Sequence, residues 1–224
     1  GFLDAHPEML IAFGVEASSP HTGVGWQKLG KALDFPGCEV RRIERFIEKP
    51  ELARAQSFMA EGGYCWNSGQ FAWKAGTILK EIHAHLPEAA GILEQIGAAW
   101  NTTSRDEAVQ DLFPKMPKGS IDYKIMQKTS NACSIFLPCS WEDMGTHAAL
   151  AERVGRKQGD NVVAGKAVVV GTGNRVLAHT GQAVVVAHDD LVVVVTENAV
   201  FVGDSSTDMK ALAEVISQQA PELL

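Results

Sequence analysis

The chain has 224 residues, 46% of them hydrophobic and 21% charged, enough for one large domain or two small ones around packed cores. A formal net charge of −7 argues against a nucleic-acid partner: phosphate backbones are bound by clustered Lys and Arg, and the most basic stretch, Arg41-Arg42 with Arg45, has the spacing of a solvated strand face. No window reaches the ~18 apolar residues that span a bilayer, so no membrane partner is expected either.

The first residue is Gly, and "GFLDAHPEMLIAFG" reads as a helix end running into a strand, so the chain is expected to begin inside a larger protein. Residues 9 to 15, "MLIAFGV", are short, apolar and closed by the loop "EASSPHTG", the pattern of a buried strand. "VGWQKLG" (24 to 30) and "EVRRIERFIE" (39 to 48) alternate on either side of "KALDFPGC" and predict a protruding hairpin. Residues 51 to 61 hold strong helix formers behind a Pro, with Leu52, Ala55, Phe58 and Met59 as the apolar face, and Gly62-Gly63 ends them. "YCWNSGQFAWK" then reads as a strand, followed by helices near 75 to 85, 88 to 100 and 104 to 113. "SIDYKIMQK" (120 to 128) opens with Ser and Asp as a helix start does.

Beyond a helix near 146 to 154 the composition shifts at "GRKQGDNVVAG", and the boundary is drawn near residue 155. From there "KAVVVG", "NRVLAH", "QAVVVAH", "LVVVVT" and "AVFVG" are strand-length runs between turn residues. Their spacing is looser than a hexapeptide period, which argues against a regular left-handed β-helix, and "GTGN" (171 to 174) reads as a hairpin turn. "SSTDMKALAEVISQQ" closes the chain as a capped amphipathic helix. The fold class expected is α/β: a Rossmann-like core over 1–155 with a mostly parallel sheet, and a small β-rich domain over 156–224.

Several residues could carry chemistry, each with a plainer alternative. Glu48-Lys49-Pro50 is either a surface charge pair or an acid and an ammonium held at a strand end for a small anionic ligand. Asn67 is either a turn amide or a donor and acceptor for vicinal hydroxyls, with Gly69 allowing close approach. Asp143 in "WEDMG" is either a helix cap or a carboxylate suited to Mg²⁺. Gly23 and Gly25 form a lone GxG that also fits a turn. His83 and His85 at i, i+2 on a helix point apart, which disfavours a shared metal. The four cysteines, Cys38, Cys65, Cys133 and Cys139, form no CxxC pair, so reduced thiols in a cytoplasmic protein are expected.

The order of the pieces is more specific than any one of them. TG-x-G, FIEKP, WNSG, SIDY and W-x-D-x-G, followed by a β-rich tail and a helix, resemble the mannose-1-phosphate guanylyltransferase family of sugar nucleotidyltransferases from about Leu10 to Val215. The resemblance implies an enzyme that joins GTP and mannose 1-phosphate into GDP-mannose and pyrophosphate. It implies that Gly25 lies in the sugar-side loop, that Glu48 holds mannose hydroxyls, that Lys49 meets the sugar phosphate and that Asn67 binds the sugar again. It further implies that Asp143 shares Mg²⁺ with an upstream aspartate and that Asp122 belongs to a substrate-side motif.

The chain also departs from the family pattern. Val24 stands where the family usually has aromatic residues after the first Gly of its sugar loop, with Trp26 after the second Gly; Gln127 stands where an acid is usual in "SIDYKIMQK"; and the Gly-rich nucleotide signature and the upstream metal aspartate are absent. The 224 residues are therefore expected to match roughly the C-terminal two-thirds of such an enzyme and to be inactive alone. Two alternatives stand beside this reading: a non-catalytic sugar-phosphate-binding or oligomerising module, and a related nucleotidyltransferase for another hexose 1-phosphate. A homodimer through the β-rich domain is also expected, from its apolar strands and their edges.

Overall fold

The computed structural model describes residues 1–181, 183–207 and 209–220. Two compact units emerge, Gly1–Trp141 and Glu142–Leu224. The division falls before residue 155 because the helix His147–Val154 buries Ala151 among Leu177, Val192 and Val194 of the β-rich unit.

In the first unit a short helix α1 (Phe2–Ala5) precedes β1 (Leu10–Val15), β2 (Trp26–Leu33), β3 (Val40–Ile47), α2 (Leu52–Glu61) and β4 (Tyr64–Ala72). Helices α3 (Ala75–His85), α4 (Pro87–Ala99) and α5 (Arg105–Leu112) follow, then a π-helical turn Asp122–Met126 and β5 (Ala132–Phe136). The five strands close into a barrel in the order β1-β4-β2-β3-β5. The expected mostly parallel sheet is thus corrected: β1–β5 is the single parallel pair of that barrel, and the other four pairings are antiparallel. Connection length explains it. Residues 34–39 are too few to turn β3 parallel to β2, so the expected hairpin forms, whereas the run through α3, α4 and α5 is a crossover long enough to bring β5 back parallel to β1.

Three apolar clusters hold this unit. Val15, Val24, Trp26, Ile47, Ala55, Phe58 and Trp66 form one, in which Phe58 stacks on Tyr64 at 4.3 Å between centroids. Burial of each large side chain of this kind contributes about 1.5–3 kcal/mol. A second packs Ile78 and Ile82 of α3 on Leu10, Ala12, Phe46, Ile125 and Met126. The third joins Phe2, Met9, Ile11, Val40 and Cys133. On α2 the buried stripe is narrower than expected: Ala55 and Phe58 are buried, but Leu52 and Met59 are exposed, because the helix meets the barrel along one line and faces solvent elsewhere. Gly62, with φ of 72°, stops it as expected.

The second unit opens with α6 (His147–Val154), whose cap is Thr146; its Oγ1 accepts from the Ala149 amide at 3.1 Å. One sheet has the order β12 (Val200–Gly203), β11 (Val192–Val195), β9 (Arg175–Ala178), β7 (Asn161–Ala164), β6 (Arg156–Gln158). A second pairs β10 (Val184–Ala187) with β8 (Ala167–Val170). Here β7, β9 and β11 run parallel with Val162 beside Arg175 and Arg175 beside Val192, and β8 and β10 run parallel with Ala167 beside Val184. The chain therefore coils, with unequal steps between successive turns, and the expected hairpin at residues 171–174 is corrected: β8 and β9 belong to different sheets.

A valine core lies between the sheets. Val163, Val176, Val193 and Val195 meet Val186, Val169 and Val184. Where the coil turns, Asn174 is fully buried; its Nδ2 donates to Asn161 Oδ1 and to the carbonyls of Thr172 and His188, while its Oδ1 accepts from the Leu191 amide. These bonds satisfy turn backbone that a hydrophobic corner would leave unpaired. Helix α7 (Met209–Gln219) follows; Gln182, with which one strand run was expected to begin, and Asp208, within the expected cap of that helix, lie outside the described residues. Among the described residues no helix is long and apolar enough to cross a membrane.

Candidate active site

Strand register assembles the site. Trp26 of β2 pairs with Ile47 of β3 and with Trp66 of β4, so the residues one step along each strand, Gly25, Glu48 and Asn67, come together at one end of the barrel. The Asn67 amide donates to the Gly25 carbonyl at 2.7 Å. A methyl group on Gly25 would stand 2.6 Å from Glu48 Oε2 and 3.1 Å from the Asn67 Cβ, so any larger residue would have to displace Glu48 from its present place. The π-helical turn brings Asp122 to the same place: Asn67 Nδ2 donates to Asp122 Oδ1 at 3.3 Å. Gln127, at the end of that turn, accepts the Glu48 backbone N–H through Oε1 at 3.1 Å, the job that falls to the amide where the family pattern has an acid.

Charge and exposure divide the group into a buried floor and an accessible cation. Asn67 is buried and Glu48 nearly so, with 10% of its side chain exposed. Burial pushes the Glu48 carboxyl above its ordinary value, the Asp122 carboxylate pushes it the same way, and Lys49 partly opposes both. The Lys49 ammonium stands 3.9 Å from Glu48 Oε1 and is half exposed, free to swing toward an anion. Its backbone has φ of 46° immediately before Pro50, a left-handed conformation that costs a non-glycine residue about 1–2 kcal/mol. Such strain at the mouth of a polar site is characteristic of residues held for a ligand.

An aromatic wall adjoins this floor. Trp66 lies edge-on to Trp26, Trp141 and His21, at 6.2, 6.3 and 5.7 Å. His21 orders the preceding loop: its carbonyl accepts from Trp26 Nε1 and its Nδ1 from the Gly23 amide. The Trp66 indole N–H is buried with no partner among the described residues.

Of the residues expected from sequence, Gly25, Glu48, Lys49, Asn67 and Asp122 share this place. Asp143 belongs to the second unit, where its Oδ1 accepts from the Gly145 amide at 2.9 Å. His83 and His85 have separate carboxylate partners, Glu94 and Glu81, and no group of three metal-ligand side chains occurs among the described residues. Sequence reasoning missed His21 and, more consequentially, Gln27. The latter is fully buried inside the barrel and donates from Nε2 to Asn67 Oδ1 at 3.1 Å. A glutamine between Trp26 and Lys28 in an alternating strand carries no sequence signal that it points inward.

Known proteins are similar to this chain. Proteins described as mannose-1-phosphate guanylyltransferase in Sinorhizobium fredii and Escherichia coli are 33% and 34% identical over 199 and 217 residues, or 87% and 93% of this chain. The Pseudomonas aeruginosa alginate biosynthesis protein AlgA is 32% identical over 217 residues. The chain spans 38% to 45% of the length of these relatives. A crystal structure described as mannose-1-phosphate geranyltransferase from Thermus thermophilus superposes with a TM-score of 0.68 at 26% identity, over 98% of this chain and 62% of that one. Residues 2–156 match the nucleotidyl transferase family, a span that holds every member of the polar floor and Asp143 as well, and the chain therefore belongs to that family.

Proposed function

We infer that this chain supplies the sugar-phosphate side of an enzyme that transfers GMP from GTP to mannose 1-phosphate. The observation that carries the reading is the register-locked floor of Gly25, Glu48, Asn67 and Asp122 beside the strained, accessible Lys49. Glu48 and Asp122 accept from sugar hydroxyls, Asn67 Nδ2 donates to a ring substituent, and Lys49 neutralises the 1-phosphate. The relatives described as guanylyltransferases support mannose and GTP as the substrates.

In this reaction an oxygen of the sugar phosphate forms a bond to the α-phosphorus of GTP while the α–β P–O bond breaks, and pyrophosphate carries away that electron pair. The chain's part is positional and electrostatic. The floor orients the ring, and Lys49 holds the nucleophilic phosphate in line, which is where most of the rate enhancement in phosphoryl transfer arises. The Asp143 carboxylate would hold Mg²⁺, which when bound neutralises the phosphates. One carboxylate with one oxygen taken by the Gly145 amide fits this ion, since Mg²⁺ is commonly held by one or two carboxylates and completed by substrate phosphates and water. Reduced thiols, with Cys38 and Cys139 exposed and unpaired, suit a cytoplasmic setting.

The test is calorimetric titration with mannose 1-phosphate and glucose 1-phosphate, alongside pyrophosphate release from GTP in the protein that carries this chain. Mannose 1-phosphate should bind, and Lys49→Ala should weaken it at least tenfold with the fold intact. Tighter binding of glucose 1-phosphate would redirect the reading to a related enzyme. Binding unaffected by Lys49→Ala would remove the site from where it is placed here.

A further inference from the structure

We propose that Gln27 is a positioning residue that, from the side opposite Asp122, locks the Asn67 amide with its N–H toward the sugar. The proposal rests on the sugar-phosphate reading of the site and names a determinant within it.

The argument is one of donor and acceptor direction along a row of side chains inside the barrel. The row runs Ser134 Oγ, Cys65 Sγ, Gln27, Asn67, Asp122, with contacts of 3.9, 3.8, 3.1 and 3.3 Å. Four of its five members are buried to 4% exposure or less. At one end a carboxylate oxygen of Asp122 only accepts, so Asn67 must offer it Nδ2. Asn67 Oδ1 then faces Gln27, which must offer Nε2. Gln27 Oε1 in turn faces Cys65, which must donate. Burial among apolar neighbours pushes the Cys65 thiol up to about 12, so it keeps its proton and can do so, and Ser134 completes the row by donating to the sulfur. Every group has one role, and the row has one direction.

The consequence falls on the ligand. With Oδ1 capped by Gln27, Asn67 can show the sugar only an N–H, between the acceptors Glu48 and Asp122. That pattern fits a hydroxyl that donates to a carboxylate and accepts from the amide. Without Gln27 only Asp122 holds the Asn67 amide, and the uncapped, buried Oδ1 draws the amide out of line with the sugar hydroxyl it serves. An apolar side chain of the same length would fill the barrel equally well, so packing alone does not call for a buried amide here. Gly14 leaves room for the row, since a methyl group there would stand 2.6 Å from Cys65 Sγ and 2.7 Å from Ser134 Oγ.

Two variants test this. Gln27→Met keeps the length and removes the donor; Gln27→Glu keeps the shape and, at a pH high enough to ionise it, replaces the donor with an acceptor. Expected are an affinity for mannose 1-phosphate lower by about tenfold in the first and more in the second, a raised KM for the sugar phosphate with KM for GTP unchanged, and a shifted Asn67 side-chain amide signal in ¹⁵N NMR. A merely structural role would lower the unfolding midpoint and the active fraction while leaving these constants and that signal as in the wild type, and this result overturns the proposal. If the wild type binds no hexose 1-phosphate, the functional reading falls, and the NMR signal of Asn67 alone decides for or against Gln27. Should neither variant fold, the wild type still answers. Its Gln27 side-chain amide exchanges hydrogens slowly if held as described, and exchange at the rate of a free amide overturns the proposal.

Discussion

The Glu48 carboxylate lies directly against the bare Cα of Gly25, so close that a methyl group there would meet Oε2 at 2.6 Å. Gly25→Ala must therefore push Glu48 away or part β2 from β4. Overpacking of this kind costs about 1–3 kcal/mol. We expect a lowered unfolding midpoint together with at least tenfold weaker mannose 1-phosphate binding, measured by calorimetry. Unchanged affinity would show that Glu48 does not touch the sugar.

Lys49 holds a left-handed backbone that glycine adopts without cost. Lys49→Gly is expected to stabilise the fold, by up to about 1 kcal/mol, while losing sugar-phosphate affinity. Lys49→Ala, which keeps the strain and loses the charge, should lose affinity without the stability gain. Denaturant unfolding of the two variants side by side checks this trade.

Glu48 makes stability depend on pH in a defined direction. Its folded-state pKa is raised above 4.5, chiefly by burial. From about that value upward the unfolded chain releases this proton while the folded site still retains it, so the group's contribution falls as pH rises through the window and stays lowered above the folded value. Glu48→Gln removes this penalty. Its unfolding midpoint should exceed that of the wild type at neutral pH, with the gap closing as pH falls to 4.5. A gap that widens toward acid would contradict the raised value.

The four thiols should divide by reactivity. Cys65 and Cys133 are buried and pushed up to about 12, chiefly by desolvation, whereas Cys38 and Cys139 are exposed. A thiol reagent at neutral pH should titrate Cys38 and Cys139 in the native protein and all four after denaturation. Rapid native labelling of Cys65 would mean that the barrel opens readily.

Asn174 is the polar keystone of the coiled second unit. Its replacement by Ala strands the His188 carbonyl and the Leu191 amide, while the Thr172 carbonyl keeps the Asp190 amide and Asn161 Oδ1 keeps the backbone N–H of residue 174. A loss of about 2–4 kcal/mol is expected, local to this unit. Hydrogen exchange should accelerate in β7, β9 and β11 while the barrel strands keep their protection.

Much of this protein is legible one segment at a time. The helices from 75 to 112 and most strands follow from local periodicity and turn residues, and the expected residues of the polar floor lie in short motifs at strand ends and at one helical turn, where polar side chains interrupt apolar runs. What local pattern cannot convey is partner choice. "KAVVVG" and "QAVVVAH" read as strands of any sheet; that they pair parallel with each other in a sheet of their own, with Asn174 at the corner of the coil, depends on contacts between residues far apart in the chain. Barrel closure is decided in the same way, by β5 returning beside β1. Gln27 shows the limit most sharply. Its identity is local, but it faces inward only because Trp26 pairs with both Ile47 and Trp66, and it meets Asn67 across 40 positions of sequence. Register is a property of paired strands, so the direction of a buried hydrogen-bonded row exists only once the tertiary structure has formed.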